Sequence, residues 1–302
     1  MERVMAVSAL SAVRDYFNLT KPRRLPMVLL TGLPVLGMTT DGPPSASLVC
    51  GTFLGIALAA AAANTLNAYL EHEKDALMER TRGRPIPAGL IAPRAALAFG
   101  LVLVALSMAI LGGVAGVEAA GLGLASILFY VFVYTLWLKP RSAWNTVIGG
   151  ASGAVAPLIV DAAVNGRVGP AGLALFAIVF FWQPPHVWAI ALYRKAEYGA
   201  AGIAMLPNVI GDQPTRWRML WYTLGLVPVT LAPVGLGLLG DLYLAVALGV
   251  GAWFIWAAVR VLKLRTDDAA RRMFRVSLAY LSSLFVAMLV DRFWGILTHP
   301  WL

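Results

Sequence analysis

Charge is what this sequence has least of. Only 13% of its 302 residues are Asp, Glu, Lys or Arg, against 60% apolar, where a soluble domain carries roughly a quarter charged residues. Cysteine is nearly absent: Cys50 stands alone in an apolar run, which excludes an internal disulfide and a cysteine metal cluster. The alternating pattern of a membrane barrel is missing too. The opening run from Met1 to Phe17 has neither the long apolar core of a secretory signal nor the Arg/Ser-rich pattern of a transit peptide. It reads as a short cytosolic helix, with residues 1–20 as an N-terminal cytosolic segment.

What is present is apolar length. The mean hydropathy is +0.76, and runs near 20 residues recur, each able to cross about 30 Å of hydrocarbon as a helix. The expected fold class is all-α: one polytopic membrane domain over residues 1–302, with about nine transmembrane helices around a central cavity. The spans fall near 25–40, 48–70, 92–115, 119–138, 146–164, 172–192, 220–239, 242–262 and 276–290. A net charge of +9 would suit nucleic acid in a soluble protein. Threading nine spans instead puts 22 of the 24 Lys and Arg on the side of the N-terminus, with only Arg167 and Arg292 opposite. The positive-inside rule makes that side cytoplasmic. The basic residues then have the lipid bilayer as partner and no nucleic acid, in a bacterial inner membrane with the C-terminus periplasmic.

The end of the second span breaks the apolar pattern. It reads Asn64-Thr-Leu-Asn67-Ala-Tyr-Leu-Glu71-His72-Glu73-Lys74-Asp75. Asn67, Glu71 and Asp75 are spaced i, i+4, i+8, one helical face with about 40° of drift per step, and Asn64 extends the stripe. Carboxylates near hydrocarbon depth are costly and usually mark a site. An amide and two carboxylates are hard oxygen ligands of the kind Mg2+ accepts, and Mg2+ commonly completes its shell with substrate phosphate oxygens. Asn67, Glu71 and Asp75 are therefore the candidate metal ligands and catalytic residues. Glu73, rotated roughly 200° from Glu71, should face away. The following loop, Met78-Glu-Arg80-Thr-Arg82-Gly-Arg84-Pro-Ile-Pro87-Ala-Gly89, sets three arginines beside the carboxylates. Arginine forks suit phosphate oxygens. Membrane anchoring would account for any one arginine, and the wet end of a helix for the carboxylates, but together they fit a Mg2+-diphosphate better than either does alone.

The sixth span ends Trp182-Gln183-Pro184-Pro185-His186-Val-Trp188-Ala-Ile-Ala-Leu-Tyr193-Arg194-Lys195-Ala-Glu197-Tyr198. Two prolines should kink it and expose carbonyls. On a continuous helix His186, Tyr193 and Glu197, at offsets of 7 and 11, share one column. A membrane histidine can equally serve only as a hydrogen-bonding support for a neighbouring helix. Spans 2 and 6 both end in carboxylate plus arginine ahead of a Pro/Gly-rich loop, which suggests a pseudo-repeat and one shared cavity opening at the cytosolic surface.

These residues resemble the UbiA-type prenyltransferase superfamily, with its nine spans and acidic motifs after spans 2 and 6. Asn67-Ala-Tyr-Leu-Glu71-His-Glu73-Lys-Asp75-Ala-Leu-Met78-Glu79-Arg80-Thr81 is similar to the protohaem IX farnesyltransferase (haem O synthase) branch. So are Leu19-Thr-Lys21-Pro22-Arg23, Tyr134 to Lys139, Asn145 to Gly150, Trp182 to His186 and Ala201 to Pro207. The resemblance implies transfer of a farnesyl group from farnesyl diphosphate to a vinyl of haem b, giving haem O, with Mg2+ as cofactor and a downstream haem-modifying membrane enzyme as a partner. Lys21, Arg80, Arg84, Lys139, Arg194 and Lys195 become the candidate diphosphate ligands, and Glu197 a further catalytic carboxylate. His186 and Trp182 become the candidate haem contacts. Tyr69, Trp182 or Tyr193 would shield an allylic cation. The chain departs from the family in having Glu71, Glu73 and Glu197 where aspartates are usual. The second motif also carries one carboxylate rather than two, which weakens the case for a second metal there. A quinone-precursor acceptor is the sibling alternative. A transporter with broken helices is the other, but its site would lie at the midplane and not at a membrane edge.

Overall fold

The computed structural model of the chain describes residues 2–38, 43–79, 81–200 and 202–298. Residues 39 and 40, the end of the first expected span, and Arg80 lie outside the described residues. Every regular element among the described residues is helical, because a helix in hydrocarbon satisfies its own amides. α1 (Glu2–Leu19) and α2 (Leu25–Leu36) lead into α3 (Ala46–Ala76). α4 (Pro93–Ile110) and α5 (Val117–Leu128) run on into wider π-helical turns at Leu111–Ala115 and Phe129–Leu138. There follow α6 (Asn145–Gly153), α7 (Ala156–Asn165), α8 (Pro170–Tyr193), the short α9 (Lys195–Ala200) and α10 (Leu206–Ile210), α11 (Asp212–Gly235), α12 (Asp241–Leu264) and α13 (Asp267–Thr298).

Among the described residues, 7 helices are long and apolar enough to cross a membrane, where the sequence pattern suggests nine. The two that fall short are explicable. α2 has 12 residues, a rise of about 18 Å, well under the hydrocarbon thickness. α11 has the length, at 24 residues, but opens on Asp212, Arg216 and Arg218 and carries Pro228 and Pro233. The all-α, multi-span class holds; the count of nine does not follow from length and apolarity.

One large apolar core joins α2, α7, α8, α11, α12 and α13, and a smaller one joins α3, α4 and α5. α3 meets the end of α4 closely: a Cβ on Gly55 would come within 2.5 Å of Leu111 Cγ, and Ser107 Oγ donates to the Gly55 carbonyl at 2.8 Å. A third cluster of Leu19, Ala68, Ile86, Ile91 and Ala96 pins the end of α1 and the 77–92 loop onto α3 and α4.

Helix starts inside a membrane protein carry amide donors with no water to meet them. Two carboxylates reach across to serve them. Asp161 of α7 is 1% exposed, and its Oδ2 accepts from the Gly169 and Gly172 amides at 2.7 and 2.9 Å where α8 begins. Asp291 of α13 accepts from the Gly240 and Tyr243 amides at 2.7 and 3.0 Å where α12 begins. Asp161→Ala leaves two helix-start donors unpaired, that of Gly172 buried, and should destabilise the chain by about 1–3 kcal/mol. Thermal unfolding in detergent measures this; an unchanged midpoint would show that α8 does not depend on the cap.

Candidate functional site

α3 stays regular through Ala76, so its polar stripe keeps a single azimuth. Asn67 is buried, and the Glu71 and Asp75 side chains retain only 13% and 8% of their accessible surface. Glu73, on the far side, is exposed. Each member of the stripe meets a cation from a different segment. Lys21 Nζ donates to Asn67 Oδ1 at 2.8 Å. Lys139 Nζ meets Glu71 Oε1 at 2.5 Å, and Arg84 donates to Asp75 Oδ2 at 2.5 Å. Asn67 Nδ2 then donates to both Glu71 Oε2 and Thr135 Oγ1, at 3.0 and 3.2 Å.

The three cations are placed by three local devices. Lys21 adopts a left-handed backbone conformation, φ 55°, uncommon for a residue with a side chain, at the corner between α1 and Pro22. Arg84 rides on a loop whose Thr81 is buried and donates through Oγ1 to the Asp75 carbonyl at 2.7 Å. Lys139 and Thr135 come from the π-helical end of α5, where the Lys139 amide reaches back five residues to the Tyr134 carbonyl at 2.9 Å. Such turns often sit at functional sites. The same turn stacks Tyr130 on Tyr134 at 5.1 Å, with Lys139 Nζ 6.0 Å from the Tyr134 ring. Tyr69, the aromatic expected beside the motif, stacks instead on His72. A cavity of about 40 Å³ adjoins the stripe, lined by Asn18, Leu19, Lys21, Asp75, Arg84 and neighbours. Arg82 is exposed to solvent.

The second motif is built differently from the expected column. α8 remains one helix through Pro184 and Pro185 but ends at Tyr193, and Arg194 turns out of it before α9 starts. Glu197 therefore leaves the column of His186 and Tyr193. It is 53% exposed in its side chain and pairs with Arg194 at 3.3 Å. Lys195 pairs with Asp212 at 2.8 Å, and Arg216 approaches the same carboxylate at 3.7 Å. Asp212 went unnoticed in the sequence; its signal is an acid just after Gly211, the position that starts a helix. The cavity at the first motif takes its lining from the end of α1, α3 and the loop that carries Arg84. Asn145, on α6, reaches the loop after the second motif, its Nδ2 donating to the Ala204 carbonyl at 3.2 Å.

His186 and Trp182 face α13. Trp182 Nε1 donates to the Ser277 carbonyl at 2.7 Å, and the His186 ring stacks on Trp182 at 4.3 Å and leans on Phe274. His186 Nδ1 lies 2.7 Å from Ser277 Oγ. Ser277 Oγ also donates to the Phe274 carbonyl, at 2.7 Å, which ties the histidine to the backbone of α13. Tyr193 lies under Arg271, 4.6 Å from guanidinium to ring.

No group of three or more His, Cys, Asp or Glu that could hold a metal occurs among the described residues. The α3 stripe nonetheless fits Mg2+, which needs only one or two carboxylates when a substrate phosphate supplies further oxygens. Asn67 Oδ1, Glu71 and Asp75 are the donors that would hold it.

Apolar helices with near-buried carboxylates and compensating cations at the end of one of them mark a polytopic membrane protein with a charged site at a helix end. Residues 28–286 match the UbiA prenyltransferase family, and the chain belongs to it; it is a prenyltransferase. The protoheme IX farnesyltransferase of Symbiobacterium thermophilum is 43% identical over 281 residues, covering 92% of this chain and 94% of that protein. That of Acidiphilium cryptum is 45% identical over 286 residues, covering 92% and 90%. The fold is similar to that in a structural study of digeranylgeranylglyceryl phosphate synthase, with TM-score 0.80, 17% identity and coverage of 93% and 99%. It is also similar to a UbiA homolog from Archaeoglobus fulgidus bound to GPP and Mg2+, with TM-score 0.65, 17% identity and coverage of 91% and 99%. At these identities the structural likeness concerns the fold alone.

Proposed function

We propose that the chain transfers the farnesyl group of farnesyl diphosphate to a vinyl group of haem b, giving haem O, with Mg2+ at the α3 stripe. The observation that carries this is the convergence of Lys21, Arg84 and Lys139 on Asn67, Glu71 and Asp75. The acceptor follows the relatives' names. In the transfer the vinyl electron pair forms the new C–C bond while the C–O bond to diphosphate breaks, its pair leaving on the diphosphate; water then adds to the cation left on the other vinyl carbon and loses a proton, leaving a hydroxyl there. Mg2+, when bound, supplies Lewis-acid stabilisation of that charge. Lys21, Arg84 and Lys139 hold the phosphate oxygens, being preorganised donors where charge develops. Arg194 and Lys195 stand beside the second motif as further phosphate contacts. Tyr130 and Tyr134 present ring faces next to Lys139, where an allylic cation would be shielded from water.

The stripe makes a sharp kinetic expectation. Glu71→Gln and Asp75→Asn should each cost on the order of 10²–10³ in turnover, and the exposed Glu73→Gln much less. Turnover of farnesyl diphosphate with haem b, set against a quinone-precursor aromatic acid as acceptor, measures both points. Equal losses at 71 and 73 would require a different metal site, and preference for the aromatic acid a different acceptor.

His186 is assigned to haem, since a neutral imidazole suits an iron better than an anion. In His186→Ala the haem spectrum should change while affinity for a farnesyl diphosphate analogue holds within about threefold, roughly 0.65 kcal/mol. An unchanged spectrum with lower stability would make His186 a structural partner of Ser277. The membrane orientation rests on the 22 of 24 Lys and Arg on one side: the N-terminus is cytoplasmic and the C-terminus lies opposite, in an inner membrane. Reporter fusions at both termini reading the same side would overturn it.

A further inference from the structure

A second charged concavity, lined by no residue of either motif, lies between the end of α12 and the start of α13. Its volume is about 290 Å³, and it is lined by Arg260 and Leu264 on one side and by Thr266, Asp268, Arg272 and Arg275 on the other. Positions 268, 272 and 275 fall on one stripe of α13. Phe274 and Ser277, which hold His186, lie roughly 100–160° and 140–180° from that stripe around the helix, so this cleft is not the haem side of the proposed reaction.

Three features point to a ligand. The first is uncompensated charge: three guanidiniums meet one carboxylate in the lining. In the cavity beside the first motif, by contrast, Arg84 is paired with Asp75. Here none of Arg260, Arg272 and Arg275 forms an ion pair among the described residues, although Asp268 shares the cleft. The second is preorganisation. Arg260 and Arg272 lie 4.9 and 5.2 Å from the ring of the same residue, Trp256, so one indole holds two guanidiniums toward a common space. The Thr266 hydroxyl oxygen accepts from the Ala269 amide at 3.3 Å, which leaves its proton to donate outward. The third is position. Both helices end here, and Trp253 and Trp256 are each 42% exposed, the arrangement of an aromatic belt at a membrane–water boundary.

We propose that this cleft binds a phosphate-bearing anion at the membrane edge, with Arg260, Arg272 and Arg275 as its ligands. A tetrahedral phosphate presents its oxygens in several directions to several forks at once, whereas a carboxylate has two oxygens in one plane. Two sources share that chemistry. One is the headgroup of an anionic phospholipid, since basic pockets between transmembrane helices recognise such headgroups. The other is a free phosphate or diphosphate.

The test uses the full chain in phosphatidylcholine nanodiscs. One arm adds cardiolipin or phosphatidylglycerol and reads bound lipid by native mass spectrometry. The other adds inorganic pyrophosphate and reads thermal stabilisation. Saturable binding in the first arm assigns the source to the bilayer, and in the second to the free anion; either supports the site if it depends on the arginines. The triple variant Arg260→Gln, Arg272→Gln, Arg275→Gln should weaken that binding at least about tenfold. Arg275→Gln alone, which leaves the Trp256 stack intact, should weaken it about threefold and covers the case of a triple variant that fails to fold. Arg94→Gln, at an exposed position remote from the cleft, should change it less than twofold. No saturable binding of either probe to the wild type, or Arg275→Gln and the triple variant binding as the wild type does, overturns the proposal.

Discussion

A carboxylate inside a helical bundle cannot stay ionised without a partner, because the low-dielectric surroundings magnify both its attraction to cations and the cost of leaving it alone. α3 carries two such groups, Glu71 and Asp75, and the nearby structure is arranged around meeting that requirement. The corner at Lys21, the packed loop that presents Arg84 and the π-helical end of α5 are otherwise costly conformations. Each delivers one cation to the stripe. Pairs of this kind are weak evidence for stability, since replacing both partners by apolar groups is often neutral or better. The proposed chemistry gives them a role, since the same positive groups that balance the carboxylates would hold a diphosphate there.

The opposite membrane edge solves a related problem in a different way. There the need is for acceptors to meet helix starts, and Asp161 and Asp291 supply them directly to backbone amides. Gly172 is required at this junction: a Cβ there would come within 2.6 Å of Asp161 Oδ2. Arg292, the lone cation near the end of α13, donates from Nε to the Gly37 carbonyl just past α2. Acids at helix starts on one edge and cations around acids on the other give the bundle its charge asymmetry without a large number of charges.

What the sequence discloses and what it hides divide along the range of the interaction. The Asn67–Glu71–Asp75 face is legible because a regular helix turns spacing into azimuth, and α3 is regular. The class is legible because apolar length is a local property. The break after Tyr193 is not, since nothing in Leu-Tyr-Arg-Lys-Ala-Glu signals a helix end, and so the column from His186 to Glu197 fails at its last member. Thr135, Ser277 and Asp212 also escaped notice. Each matters only through a partner far along the chain: Asn67, His186 and Lys195 respectively. Lys139 was suspected through resemblance, but the π turn that aims it has no sequence signature of its own. The first two turns of α11 fell outside the expected span at 220–239 because their polar side chains mask a helix that tertiary contacts complete.

The glutamate at 71, where the family usually has aspartate, has a geometric role visible in the stripe. Its two oxygens are used in different directions, Oε1 to Lys139 on the end of α5 and Oε2 to Asn67 one turn back on α3. One methylene fewer would draw the carboxylate back by about 1.5 Å, the length of a C–C bond, and a charge-assisted hydrogen bond does not survive that much stretch. An aspartate at 71 would have to abandon one partner or draw the end of α5 inward. Gly149 shows that this segment is already tightly seated: a Cβ there would come within 2.1 Å of the Tyr134 ring, so α6 touches it from behind. The longer side chain and the position of the π turn are thus matched to each other, and the substitution at 71 keeps the charge while setting the distance at which Lys139 stands from α3.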